Sequence, residues 1–171
     1  MYELCRDILP DELEETRVTA PYPYYRLRAY FKEAQGQIDS ASYFWQKASA
    51  EMAAQPDLYR KANFYIRMGE FYERQLEFER AAHFFDIGAQ YSRESRFVPF
   101  LLRAVAGLER MRLVEGDYRS AYALADERHA LEDSIQKINE KEKLALAEVL
   151  HEMRLEQSRQ AAQLRTELLR S

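Results

Sequence analysis

An all-α fold, three stacked helix pairs followed by one long terminal helix, is predicted by three observations. First, five positions recur at a 40-residue spacing: Gly36, Leu76 and Gly116; Ile38, Phe78 and Tyr118; Ala41, Ala81 and Ala121; Trp45, Phe85 and Ala125; Ala48, Gly88 and Arg128. A fixed period in that range marks helix pairs, each too small to bury its apolar face alone. Second, apolar residues follow helical spacing, as in Tyr65, Met68 and Tyr72, with Phe64 and Phe71 flanking. Third, the 171 residues include only five Gly and five Pro, and no alternating β-branched run supports a strand.

The elements follow in order. Residues 2–9 suit a short helix ended by Pro10, and the polar, Pro-punctuated DELEETRVTAPYP reads as a loop. A helical pattern runs from about Tyr24 to Ala34 and is broken by Gly36. A second spans about Ile38 to Ala53, closed by Pro56; a third, Leu58 to Arg74; a fourth, Phe78 to Arg93. The fifth begins near Pro99, which suits a first helical turn, and ends near Gly116. The sixth starts at Tyr118, and from Arg119 to Arg170 neither Gly nor Pro interrupts it. Leu131, Ile135, Ile138, Ala145, Val149, Met153, Leu164 and Leu168 form an imperfect stripe there, amid charges of both signs. Asp133 or Ser134 is a candidate cap for a new helix, with a break near Asn139. The expected segments are thus a remnant and loop over 1–21, helix pairs over 22–133, and a charged helix, a coiled-coil candidate, over 134–171.

Composition narrows the classes of function. With 47% hydrophobic residues the chain is expected to fold, and its length suffices for a sizeable core. The net charge is -4, with acids and bases interspersed, so no basic stripe is available for a row of phosphates and no direct nucleic-acid contact is expected. No apolar run reaches the roughly 18 residues of a membrane span. Cys5 is the only cysteine, so no internal disulfide can form. His83, His129 and His151 are far apart, and His151-Glu152 lacks the second His of a zinc-protease helix, so no metal site is expected. The glycines are scattered rather than gathered in a phosphate loop, and no nucleophile has a base beside it. Neither catalysis nor a cofactor is expected. The acids of MYELCRDILPDE do not suit a signal peptide; the segment reads as the tail of a helix, so the chain is expected to be a piece of something longer.

Residues 62–95, ANFYIRMGEFYERQLEFERAAHFFDIGAQYSRES, resemble the tetratricopeptide repeat (TPR). Tyr65, Met68, Gly69, Tyr72, Phe78, Ala81, Phe85 and Gly88 stand at that pattern's offsets, with Leu76 replacing a Gly. The first and third copies fit at Gly36, Ile38, Ala41, Trp45 and Ala48, and at Leu108, Gly116, Tyr118 and Ala121. Ala29 and Glu109 depart from Gly69, and Arg128 from the last small residue. The resemblance covers about residues 22–133 and implies a right-handed α-solenoid, its helices lengthened relative to the family's. A narrower likeness links EGDYRSAYALADERHALEDSI and the charged helix after it to the tetratricopeptide sensor regions of Bacteroidetes-type signalling proteins. There the last repeat leads on to a histidine kinase or a helix-turn-helix regulator, and no such output domain is present in this sequence.

The resemblance places the inner face of the stack on the first helix of each pair. Its offsets hold Arg26, Tyr30 and Glu33; Asn63, Ile66, Glu70 and Glu73; Arg103, Ala106, Arg110 and Leu113. This mixture of aromatic, apolar and charged groups suits a peptide or a partner helix. It does not reproduce the Lys/Asn clamp of some relatives, because Tyr30 and Glu70 stand where Asn is wanted. The aromatic PYPYYRLRAYF is read as helix packing rather than as a stacking platform. The expected role is a non-catalytic interaction or sensor module of a bacterial signal-transduction protein, with the terminal helix offering a route to a homodimer. The alternative is a free-standing adaptor or assembly scaffold. Nothing in the chain fixes its compartment: a membrane-anchored sensor implies the periplasm, a free-standing adaptor the cytoplasm.

Overall fold

The computed structural model describes residues 20–168. Its regular structure is entirely helical among these residues: α1 (Pro21–Ala34), α2 (Ile38–Ala53), α3 (Leu58–Arg74), α4 (Phe78–Glu94), α5 (Val98–Glu115) and α6 (Tyr118–Leu168). The short helix read over residues 2–9 and the single thiol of Cys5 lie outside the described residues. α1 starts at Pro21 rather than near Tyr24. Pro21 and Pro23 fall in a first turn, where backbone N–H groups have no intrahelical acceptor and a missing donor costs nothing.

One turn closes four of these helices. Gly36, Leu76, Arg96 and Gly116 have φ of 72°, 61°, 56° and 76°. At each, that residue's N–H bonds back to the carbonyl three residues earlier: Gly36 to Glu33 at 2.9 Å, Leu76 to Glu73 at 3.0 Å, Arg96 to Arg93 at 3.1 Å and Gly116 to Leu113 at 3.2 Å. The next N–H reaches the carbonyl five residues earlier: Gln37 to Lys32 at 2.9 Å, Glu77 to Tyr72 at 3.0 Å, Phe97 to Ser92 at 3.2 Å and Asp117 to Arg112 at 3.0 Å. This paired closure satisfies carbonyls that a helix end leaves open, and it needs a left-handed residue. The carbonyls of Gln37, Glu77, Phe97 and Asp117 then accept the N–H of Ala41, Ala81, Leu101 and Ala121, which opens the next helix. Residues 36, 76 and 116 therefore occupy equivalent bends, and position 96 adds the same bend between α4 and α5. The α2–α3 connection differs: Asp57 caps α3 through Oδ1, accepting from the Arg60 N–H at 3.1 Å.

The chain divides into two units, Met1–Ala125 and Asp126–Ser171. In the first unit, α1 packs on α2, α3 on α4 and α4 on α5, with α3 also meeting α5. Phe85 of α4 is fully buried between two glycines. A Cβ on Gly69 of α3 would lie 2.7 Å from its ring, and a Cβ on Gly107 of α5 would lie 2.6 Å from it. Gly88 plays the reciprocal part, for a Cβ there would meet Ile66 Cγ1 at 2.6 Å. Trp45, one period before Phe85, is also fully buried. Its ring lies 5.0 Å from Tyr30 of α1, 5.7 Å from Phe64 and 6.0 Å from Phe71 of α3. Each ring thus wedges its helix between successive odd-numbered helices. The third copy has Ala125, and the described residues contain no further helix for a ring there to meet.

In the second unit the described residues, 126–168, form one helix, roughly 65 Å of helical rise. Of the two courses the sequence left open, the helix takes the continuous one, running through Asn139 without a break. Ser134 does not cap: its Oγ bonds the Ala130 carbonyl at 2.9 Å, the within-helix bond of a residue one turn earlier. Leu144, Leu146, Val149 and Met153 are exposed.

Leu76 is 72% exposed, so replacing it by Gly removes left-handed strain while sacrificing little burial. Leu76→Gly should gain about 1 kcal/mol, and Gly116→Ala should lose about as much; a lower urea midpoint for Leu76→Gly would refute the turn account. Gly107→Ala should cost about 1–3 kcal/mol by overpacking. Phe85→Leu in the same chain should recover part of that loss, and an additive double-mutant cycle would exclude the wedge.

Candidate functional site

α1, α3 and α5 present one charged face, positioned by the wedges beneath it. Glu33 accepts from Arg74 Nε at 2.9 Å and Nη2 at 2.6 Å. Glu70 accepts from Arg103 Nη2 at 2.6 Å. Glu73 takes a bidentate pair from Arg110, Nε to Oε1 at 2.6 Å and Nη2 to Oε2 at 2.9 Å. The Arg110 guanidinium is held charged, first by its hydrogen bond to Glu73; partial burial opposes this, and the carboxylate charge reinforces it. The first pair joins α1 to α3 and the others join α3 to α5. As half-exposed pairs they contribute at most about 1 kcal/mol each, so they set the register and charge of the face more than its stability.

Glu33, Glu70, Glu73, Arg103 and Arg110 are accordingly engaged with one another or with Arg74. Ile66, counted at an inward offset, is fully buried and does not line a groove. The reason is Gly88, whose missing Cβ lets α4 close over it. Asn63 and Ala106 are half-buried on this face, and Leu113 is exposed. The aromatic stretch of α1 packs as read: Tyr24 is buried, Tyr25 stacks on Phe44 at 6.5 Å, and Tyr22 meets Phe64 edge-on at 5.6 Å.

The remaining part of the face is different. Arg26, Tyr30 and Glu33 follow i, i+4, i+7 along α1 and so share one side. Arg26 Nε, Tyr30 Oη and Glu33 Oε2 are all buried and make no hydrogen bond. The Arg26 guanidinium lies 5.7 Å over the Tyr22 ring. Arg67 of α3 faces Tyr30 without a bond of ordinary geometry. Burial raises the Tyr30 phenol above its usual value; the Arg67 and then the Arg26 charge pull it down and offset this only in part. Tyr22 is likewise raised by burial, against the charges of Arg26, Arg60 and Arg67. Arg67, Arg74 and Tyr22 were not singled out from the sequence. Arg67 was within reach of the spacing argument, since it lies four residues after Asn63 and three before Glu70. Arg74 was not, because its partner Glu33 is one helix pair away.

Among the described residues, no group of three or more His, Cys, Asp or Glu is placed to hold a metal ion, and no helix is long and apolar enough to cross a membrane. Compared with protein-family models, with curated proteins and with solved structures, the chain matches none.

The tyrosines give this face a pH signature. A phenol whose folded pKa is raised adds stability that is complete below the unfolded value near 10 and is lost as pH climbs past it. In an ultraviolet titration of the 12 tyrosines, Tyr30→Phe should delete a late-ionising component. Loss of an ordinary or early component instead would overturn this account of the face.

Proposed function

We propose that the first unit is a right-handed stack of three helix pairs of the tetratricopeptide kind, and that it acts as a non-catalytic binding module of a signalling protein. The observation that carries this reading is the recurrence of one left-handed turn at residues 36, 76, 96 and 116, at 20- and 40-residue intervals. Identical bends give successive helices the same entry geometry, the condition for a repeating stack. Wedges at Trp45 and Phe85, one period apart, support the same conclusion. Such a stack presents the face of α1, α3 and α5 to a partner. The helix from Asp126 onward is read as the element that pairs with a second copy and passes the bound state to an output domain.

Two measurements test this. Full-length chain should be dimeric by light scattering and the chain ended after Ile138 monomeric; identical masses would remove the pairing role. Alanine at Arg26, Tyr30 and Arg110 should reduce capture of a partner at least tenfold in a pull-down read by mass spectrometry, and undiminished capture would remove the face.

A further inference from the structure

We infer that the helix from Asp126 onward pairs antiparallel with the same helix of a second copy, about a two-fold axis between Ala147 and Glu148, an inference that rests on the pairing reading above and fixes its direction and register.

Every residue from 136 to 163 is exposed. Among them Leu146, Val149 and Met153 are 60%, 52% and 55% exposed. With Leu131, Ile135 and Ile138, and with Glu142 in their midst, they follow steps of four and three residues, which keeps them on one stripe of a helix. The stripe repeats every 11 residues, from Ile135 to Leu146 and from Ile138 to Val149. That period is close to the helix's own, so the stripe winds little and two such helices stay in contact over their length. The steps run four, three, four from either end, so spacing alone admits a partner helix of either direction.

Charge decides the direction. Residues 126–142 hold six acids and three bases, whereas residues 157–171 hold one acid and three bases. A parallel pair sets each block against its own copy, acid surplus on acid surplus. An antiparallel pair lays the acidic block of each helix along the basic block of the other, so both repulsions become attractions. The helix dipoles act in the same sense, since each N-terminus then lies near a C-terminus.

Glu142 decides it a second time. In a parallel pair in register it meets Glu142 of the other copy, two like charges inside an apolar seam. About an axis between 147 and 148 it meets Met153 instead, with Arg154 beside it, and Leu146 meets Val149. Ile135 and Ile138 then meet Gln160 and Gln157 rather than their own copies. Ile against Gln forfeits part of one side chain's burial, whereas carboxylate against carboxylate strands two charges away from water, the larger cost. In this register residues near 165 of one copy lie beside residues near 130 of the other. A change at the start of one helix is therefore felt at the end of its partner.

Pulsed electron paramagnetic resonance on the full chain tests this. Cys5 is the only cysteine, so a Cys5→Ser background carries one nitroxide at Gln136→Cys or at Glu148→Cys, both exposed and off the stripe. The antiparallel pair should give about 40 Å between labels at 136 and about 25 Å at 148, from 1.5 Å of rise per residue and about 10 Å between axes. A parallel pair gives about 25 Å at both. Glu142→Arg and Arg154→Glu should each weaken the dimer about fivefold by sedimentation, two pairs being lost per dimer, and the double variant should recover most of that loss. Short separations at both sites, or a double variant no better than the singles, would overturn the antiparallel register and leave the pairing role standing. No separation at either site, with a monomeric mass by light scattering, would remove the pairing role with it.

Discussion

The Phe85 ring, held between Gly69 and Gly107, is the contact on which the first unit depends. An aromatic side chain buries a large apolar area, but only if neighbouring backbones come close enough to leave no void. Two absent Cβ atoms allow that approach from both sides at once. The consequence is geometric as well as energetic: α4 is locked between α3 and α5, and those two helices are brought into contact. Trp45 performs the same wedge one period earlier with more aromatic neighbours and without a glycine sandwich.

The turns translate this packing into a repeating geometry. Each closes one helix and opens the next within three residues, so backbone hydrogen bonds and side-chain packing together set the angle between neighbours. Glycine supplies the left-handed residue at 36 and 116; Leu76 and Arg96 adopt it against their intrinsic preference. Tolerating that strain requires surroundings that determine the bend independently. The stacked Tyr72 and Phe84 rings, which join the two helices flanking the 76 bend, and the Tyr59, Phe97 and Phe100 cluster beside the 96 bend provide them.

With the odd-numbered helices fixed side by side, their outward faces merge into one charged surface. Along α3 and α5 the charges neutralise one another. Along α1 they do so only in part: Glu33 holds Arg74, while Arg26 Nε and Tyr30 Oη are buried without a hydrogen-bond partner. The face is therefore uneven: structural over one part, and chemically unsatisfied over the other.

Much of this was legible in the chain by itself. Helix bounds for α2 and α3 follow from Pro56 and apolar spacing, both of them local signals, and the Asp57 cap was found only in the structure. The equivalence of residues 36, 76 and 116 followed from periodicity, as did the buried Ala41, Ala81 and Ala121. Arg96 was not legible as a bend, since nothing in its residue type signals a left-handed backbone. Nor was Gly107, which stands outside the 40-residue alignment and matters only because Phe85 arrives from another helix. The α1 residues Arg26, Tyr30 and Glu33 could be assigned to a single face from helical spacing. Which of them would be paired and which left without a partner was decided by Arg67 and Arg74, more than 30 residues away. Local hydrogen bonds and spacing define helices and turns; the meeting of distant side chains, which depends on how those helices pack, defines the site.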